Sequence, residues 1–247
     1  MTKEDPVVAP RRRSALLDEL RVDVPGRPQD VILEELRRAF LSGAAPPGTP
    51  IPVGEVAELF GVSRIPVREA LKTLIGEGLV THRQNHGYIV AQLTIAELRE
   101  MYLVRETLES ASLAAAVRNA TEEDDRRVEE SHRLLERAVQ EGDSRGYHRE
   151  SRVFHMALTR PSRMHRLLHM LEYAWNITEP VQPMVHVSDS ERAELHREHE
   201  AMLTAFLARD TDALLAASEH HNRHLDVAIS GLTAESGLLP AEDIQFG

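Results

Sequence analysis

The sequence predicts a mainly α-helical chain in two parts, a small unit with a hairpin followed by an all-helical bundle. Apolar residues recur at three- and four-residue spacing through most of the chain, whereas strict alternation is limited to residues 79–83 and 88–91. Helix-start signals repeat from Thr94 onward. We therefore expect a flexible arm at 1–27, a small unit at 28–92, a helical domain at 93–235 and a tail at 236–247.

The arm at 1–27 and the helix that follows it differ in composition. Residues 1–27 are Pro-rich and carry Arg11-Arg12-Arg13, a triplet that is either a DNA contact or a solvated tail. Residues 29–42 have the apolar spacing of an amphipathic helix, and Gly43 with Pro46-Pro47-Gly48 ends it.

Residues 51–91 indicate a helix, a tight turn, a second helix and a hairpin. The spacing in the first of these helices places Val53, Val56, Ala57 and Phe60 on one face. Gly61 can adopt the left-handed conformation that ends it. Ser63 is expected to cap the second helix, and Pro66 fits its first turn because no intrahelical bond is lost there. This order is typical of a winged helix-turn-helix.

The second helix has the pattern of a recognition helix. Its buried stripe is predicted to comprise Val67, Leu71, Leu74 and Ile75. The opposite face presents Arg64, Arg68 and Lys72 at four-residue steps, as a helix lying in a DNA major groove requires. The hairpin turn at 84–87 places Arg83 and His86 near the tip of the wing.

The segment GVSRIPVREALKTLIGEGLV closely resembles the DNA-binding domain of the GntR superfamily of bacterial transcription regulators. The resemblance implies that Arg64 and Arg68 contact operator bases and phosphates, and that His86-Gly87 reaches the minor groove. Val53 and Gly54 stand where the family often has a Glu-Arg pair, so one customary phosphate contact is missing. A winged helix used only for protein contacts is the alternative. The residues expected at DNA are Ser63, Arg64, Arg68, Lys72, Arg83, His86 and Gly87.

Composition limits the class of protein. The 247 residues contain no Cys, which excludes disulfides and thiolate metal sites, and no apolar run approaches the length of a membrane span. The net charge of −11 lies entirely in residues 93–247, which hold 17 basic and 28 acidic residues, whereas residues 1–92 hold 12 of each. A cytoplasmic protein that meets DNA only through its first part is expected.

The bundle begins with a capping box formed by Thr94 and Glu97. Further helix starts are predicted near Thr121, Asp143, Ser162, Ser188 and Asp210, with the largest loop at residues 179–183. Eleven of the 13 histidines fall in this part of the chain.

Three of these histidines lie on the apolar stripes of separate helices. His155 shares a face with Tyr147, Ser151 and Phe154; His199 lies within the stripe of the helix at about 190–209; His221 lies on the stripe of the last helix. Burying three imidazoles costs free energy unless each has a partner, and a shared metal ion satisfies all three. Separate hydrogen-bonded core histidines are the alternative.

The bundle resembles the effector domain of the FadR-type branch, the FCD domain, over most of residues 94–232. The resemblance rests on LVRETLE at 103–109, VFHMAL at 153–158, REHEAMLTAFLARD at 197–210, and His221 eleven residues later. It implies a metal site at His155, His199 and His221. In metal-binding members an Asp precedes the first histidine by four residues, and this chain has Ser151 there. A three-His site, for Zn²⁺ or Ni²⁺, and a polar pocket without metal both remain open.

Arg105 lies on the inward stripe of the first bundle helix, and a buried Arg needs an anion. Either Glu109, one turn later, pairs with it, or it binds the carboxylate of a small organic acid, the usual ligand of the family. Tyr102 and Ser151 are expected beside it.

These patterns together predict a homodimeric, ligand-responsive transcription regulator that represses from a pseudo-palindromic DNA operator, without a membrane partner. One alternative is a metal-dependent enzyme built on the bundle, against which we count the lack of an inward Asp or Glu near the three histidines. The other is an architectural DNA binder without ligand, which the polar residues on the core stripes disfavour.

Overall fold

The computed structural model describes residues 15–22, 24–84, 87–232 and 236–239. It confirms the expected fold class, a winged helix-turn-helix followed by a helical bundle. We call residues 15–92 the head and residues 93–239 the body. None of the helices in the described part of the chain has the length and apolarity of a membrane span.

The described residues of the head form four helices and a small sheet. Its elements are α1 Ala15–Glu19, α2 Pro28–Leu41, β1 Pro50–Ile51, α3 Val53–Leu59, α4 Arg64–Gly76, β2 Val80–Arg83 and β3 Gly87–Val90. The strands form an antiparallel sheet in the order β1-β3-β2. The two-residue strand β1 was not predicted, because it is too short to show alternation.

Three predictions for the head need correction. Residues 15–20 are not part of a flexible arm, since Leu16, Leu17 and Leu20 of the α1 segment are buried in the head core. Ile75 is 37% exposed and lies off the buried stripe of α4. Ser63 occupies the N-cap position of α4, but its side chain makes no capping hydrogen bond. Gly61 has the predicted left-handed conformation, with φ of 64°.

Seven α-helices follow in the described residues of the body. They are α5 Ile95–Asn119, α6 Glu122–Gln140, α7 Ser144–Thr159, α8 His165–Thr178, α9 Pro183–His186, α10 Asp189–Leu207 and α11 Thr211–Ser230. Helix α5 packs against α8 and α11, and α10 packs against α6 and α11. The predicted capping box of α5 is confirmed, because Thr94 Oγ1 accepts from the backbone N–H of Glu97.

Two segments of the body differ from expectation. The predicted loop at 179–183 is a buried 3-10 turn, Glu179–Val181, that leads directly into α9, so its prolines begin helical turns and do not mark a loop. Helix α8 begins at His165, after a separate 3-10 turn at Arg160–Ser162. At the other end of the body, Leu239 donates its backbone N–H to the Leu93 carbonyl, so part of the expected tail packs on the connection between head and body.

Candidate functional site

The exposed face of α4 is where the head presents its cations. Ser63, Arg64, Arg68 and Lys72 are all exposed, as the helical spacing predicts, and Lys72 pairs with Glu69 at 2.8 Å. Within the described residues, neither Arg64 nor Arg68 has an ion-pair partner. Two guanidinium groups are therefore free to meet phosphates and base edges.

Gly54 of α3 lies beside Arg64. A Cβ atom at Gly54 would lie 3.4 Å from the Arg64 Nη2 atom, which is van der Waals contact with the end of a flexible side chain. In the wing, Arg83 at the end of β2 is exposed and Gly87 begins β3 with φ of 78°. His86, predicted at the wing tip, lies outside the described residues.

Three imidazoles meet inside the body. His155 of α7, His199 of α10 and His221 of α11 are each at most 3% exposed, and their candidate ligand atoms all lie within 4.8 Å of one another. The Nε2 atoms of His155 and His199 are 3.2 Å apart. That separation is close to the ~3.3 Å between two nitrogens on a tetrahedral zinc ion. The predicted inward placement of all three histidines is confirmed.

Each imidazole has an oxygen partner at its other nitrogen. Glu109 Oε2 lies 2.9 Å from His155 Nδ1, Glu198 Oε2 lies 3.0 Å from His221 Nδ1, and the Tyr147 hydroxyl lies 3.4 Å from His199 Nδ1. When Nδ1 carries the proton, Nε2 is left with the lone pair that a metal requires. The donor set and its outer partners therefore fit a divalent metal ion.

The two carboxylates correct the sequence prediction, which found no inward acid near the histidines. Glu109 is on α5 and Glu198 on α10, and both are buried. Glu198 directly precedes His199, so it points about 100° away from that stripe and reaches His221 and His224 of α11 instead. Only the packing of α10 on α11 reveals this contact.

Burial and the neighbouring charges set the protonation of the site. Desolvation, together with the neighbouring His221 and His155, holds the pKa of His199 well below its usual value. Burial also lowers the pKa of His221, against the opposing effect of Glu198. Burial alone would raise the pKa of Glu109, but His155 and Arg105 more than offset it and leave that pKa lowered. The lowered pKa values of His199 and His221 favour the neutral form that metal ligation requires, and the lowered pKa of Glu109 favours its ionised form.

Arg105 lies on the same cavity and is 5% exposed. Its guanidinium carbon is 3.1 Å from the centre of the Trp175 ring and 4.4 Å from that of Tyr102. Its Nε atom is 4.0 Å from Glu109 Oε1 and makes no hydrogen bond, while Nη1 donates to Thr178 Oγ1 at 3.4 Å. The pairing with Glu109 predicted from the sequence is therefore present but long.

The cavity is small as it stands. Tyr102 and Ser151 line it with the three histidines, as predicted, and the space between the side chains is about 20 Å³. This is enough for a water molecule or an ion. Ser151 stands at the position where metal-binding members of the family have an Asp. Glu150, the residue before it, pairs with Arg149 and does not line the cavity.

The head and the cavity are joined through the end of α8 and the turn that follows. Gln182 Nε2 donates to the carbonyl of Leu41 at the end of α2, at 3.3 Å. Its side chain also fills the space beside Gly43, where a Cβ atom would lie 2.6 Å from Gln182 Cγ. Gly43 has φ of 70°, so both its conformation and its missing side chain are needed for this contact.

A winged helix-turn-helix with free arginines on its second helix, joined to a helical domain with a buried polar cavity, defines a DNA-binding transcription regulator with a sensor domain. The comparisons with known proteins agree. Residues 28–90 match the family model "Bacterial regulatory proteins, gntR family", and residues 100–224 match the FCD domain. The chain belongs to the GntR family, in the branch that carries an FCD domain.

Curated relatives and solved structures extend over most of the chain. An uncharacterised HTH-type regulator of Bacillus subtilis, YdhC, is 25% identical over 85% of this chain and 96% of its own length. The transcriptional repressor RspR of Escherichia coli is 27% identical over 81% of this chain and 88% of its own length. The structure of E. coli McbR/YncC superimposes with a TM-score of 0.73 at 24% identity, covering 83% of this chain and 98% of that one, which supports the fold.

Proposed function

We propose that this protein is a repressor that binds a pseudo-palindromic DNA operator as a homodimer and releases it when a small organic acid binds in the body. The observation that carries the proposal is the cavity where Arg105 and three converging imidazoles meet. The exposed arginines of α4 in the head complete it. The name of the E. coli relative RspR supports repression over activation. Because its operator is bacterial DNA, the protein acts in the cytoplasm.

The head reads DNA through α4 and the wing. Arg64, Arg68 and Lys72 contact bases and phosphates of the major groove, Ser63 adds a phosphate contact at the start of α4, and the wing tip with Arg83, His86 and Gly87 reaches the minor groove. One recognition helix reads too few base pairs for specificity, so two heads of a dimer act together.

The body holds one divalent ion, Zn²⁺ or Ni²⁺, through His155, His199 and His221. Neutral imidazoles suit both metals, and three protein ligands leave coordination positions open for a ligand. Such an ion supplies a Lewis-acid centre that attracts a carboxylate oxygen. The alternative, a polar pocket without metal, predicts that added metal leaves the melting temperature unchanged.

Arg105 binds the carboxylate of the effector. In the described structure its guanidinium lies against Trp175 and Tyr102, and the cavity of about 20 Å³ is too small for an organic acid. Effector binding therefore requires Arg105 and Tyr102 to move from these positions, which enlarges the cavity beside Ser151.

This movement can reach the head along two connections. The first is α5, which follows the last strand of the wing after only the four residues 91–94. The second is the segment 178–182, because Thr178 accepts from Arg105 at one end and Gln182 binds the end of α2 at the other. Glu179, within the same segment, lies 3.2 Å from His148 of the cavity wall. A ligand that displaces Arg105 thus alters a segment that contacts the head directly.

A metal-dependent enzyme is the second candidate, and the position of the two carboxylates argues against it. Glu109 and Glu198 bind the outer nitrogens of His155 and His221, and neither lines the cavity. A general base must be within hydrogen-bond reach of the reacting atom, which lies on the cavity side. A turnover screen of the metal-loaded protein with small organic acids separates the candidates.

The decisive experiment combines native mass spectrometry of the purified protein with operator binding. Mass spectrometry identifies the metal and any bound acid; anisotropy with an operator selected from random duplexes then measures affinity with and without that acid. We expect the acid to weaken operator binding by ~5- to 150-fold, and Arg105→Ala to remove this response. Linkage requires the operator to weaken acid binding by the same factor. Equal acid affinities with and without operator would contradict the proposal.

A further inference from the structure

Among the described residues, no side chain that lines the cavity is a carboxylate. The wall offers imidazoles, hydroxyls and the cationic Arg105. A divalent ion held there would bring the local charge to three positive units. Uncompensated charge in a buried site is strongly unfavourable.

Two carboxylates lie directly behind the imidazoles. Glu109 Oε2 is 2.9 Å from His155 Nδ1, and its other oxygen accepts from Trp175 Nε1 at 3.2 Å. Glu198 Oε2 is 3.0 Å from His221 Nδ1. Both side chains are at most 9% exposed, so solvent screens their charge weakly. They come from helices other than those of the histidines that they contact.

A third buried carboxylate, Glu179, lies near the cavity and is paired with an arginine. Glu179 Oε2 lies 3.6 Å from the Arg152 guanidinium, and Glu179 Oε1 lies beside His148. This pair adds no net charge to the cavity. The metal would contribute two positive charges and Arg105 one. Glu109 and Glu198 contribute two negative charges, so the site keeps one net positive charge.

We infer that Glu109 and Glu198 are positioning residues of the metal centre, which supply from behind the imidazoles the negative charge that the cavity wall lacks, and that the cavity is balanced for a monocarboxylate effector. This inference rests on the proposed metal and effector site. It adds two residues to that site and narrows its ligand from organic acids to those with one negative charge.

The first test measures Zn²⁺ affinity by competition with a chromophoric chelator. Glu109→Gln and Glu198→Gln should each weaken Zn²⁺ binding by ~10- to 100-fold, as loss of the outer partner of a ligating histidine does. Glu150→Gln is the matched control, because Glu150 lies beside Ser151 on α7 but pairs with Arg149. Affinities equal to wild type in both variants would overturn the inference; absence of Zn²⁺ binding in the wild-type protein would overturn the metal site itself.

A rescue variant separates a charge effect from a merely structural one. Ser151→Asp places a carboxylate on the cavity wall one turn before His155. Combined with Glu109→Gln, it should restore most of the lost Zn²⁺ affinity, while a folding defect caused by Glu109→Gln would persist. Failure of the rescue, with both proteins folded by circular dichroism, would contradict the compensating role of Glu109.

The second test concerns the charge of the ligand. In the Zn²⁺-loaded protein, butyrate should raise the melting temperature more than succinate, which has the same chain length and one more carboxylate. Glu109→Gln adds one net positive charge to the cavity and should shift the preference toward succinate. A wild-type preference for succinate, or a preference that Glu109→Gln leaves unchanged, would overturn the monocarboxylate assignment.

Discussion

The cores of the head and the body are built from different kinds of residue. In the described head the buried side chains are apolar except for Glu35, whose carboxylate pairs with Arg38 at 2.8 Å. The body buries Arg105, Glu109, His155, His199 and several further charged or titratable groups among its helices. The arginines proposed to contact DNA lie on the surface of the head. The candidate ligand site of the body lies within its core. Ligand binding in the body therefore acts directly on helix packing.

The largest expected effect is on the stability of the head. Phe40→Ala removes a fully buried ring and should lower the free energy of unfolding of the head by ~3 to 5 kcal/mol. The single Trp of the chain, Trp175, is in the body, so its fluorescence reports the body while circular dichroism reports both parts. In urea, the circular dichroism transition should begin earlier than the fluorescence transition. Unchanged transitions would show that the head core does not depend on this ring.

The next effect is on DNA binding without loss of stability. Arg64→Ala and Arg68→Ala should each weaken operator binding by ~1 to 3 kcal/mol, because both guanidinium groups are exposed and unpaired in the described structure. Arg126→Ala, on the exposed face of α6, is the matched control. Gel-shift affinity that stays at the wild-type value in both head variants would refute the assigned DNA interface.

A substitution in the body should separate stability from binding. His199→Leu replaces a buried imidazole, whose pKa is held low by burial, with an apolar side chain of similar size. The free energy of unfolding of chelator-treated protein should fall by ~1 to 3 kcal/mol, because the buried Tyr147 hydroxyl and His155 Nε2 lose their contacts to His199. After incubation with Zn²⁺ and removal of the excess, elemental analysis should find about one Zn²⁺ per chain in the wild type and none in the variant. Leu195→Ala, on the same helix, should cost ~2 to 5 kcal/mol in the same assay.

The smallest effect concerns pH. Burial lowers the pKa of His132, which stacks on His196 between α6 and α10 with ring centres 4.8 Å apart. The unfolded chain therefore takes up a proton first as the pH falls below ~6.5, and the folded state loses stability from there down to the lowered pKa. His132→Gln should make the melting temperature less sensitive to pH in this window. An identical pH dependence in variant and wild type would exclude a contribution from His132.

Sequence patterns predict those features that depend on neighbouring residues of the chain. Gly61, Pro66 and the pairing of Thr94 with Glu97 act within one helical turn, so their conformations follow from residue type. The inward placement of His155 and His199 follows from helical periodicity, because each lies within an apolar stripe.

The features that could not be predicted depend on packing between distant elements. Glu198 lies off the stripe of α10 and is buried only because α11 covers it. Trp175, on α8, meets Arg105 of α5, and no spacing within either helix indicates that contact. The segment 179–183 contains two prolines typical of a loop, yet it is buried against both head and body. In each case the missing information is which helix faces are neighbours.

The contact between Gly43 and Gln182 also limits how this protein can be recombined with its relatives. A DNA-reading unit transplanted from another protein fits this body only if it leaves the space beside position 43 empty and presents the Leu41 carbonyl to the Gln182 amide. A chimera with any side chain at position 43 would displace the Gln182 side chain and with it the hydrogen bond to the Leu41 carbonyl. Head and body can therefore be exchanged between relatives only if the contact of position 43 and the Leu41 carbonyl with Gln182 is kept.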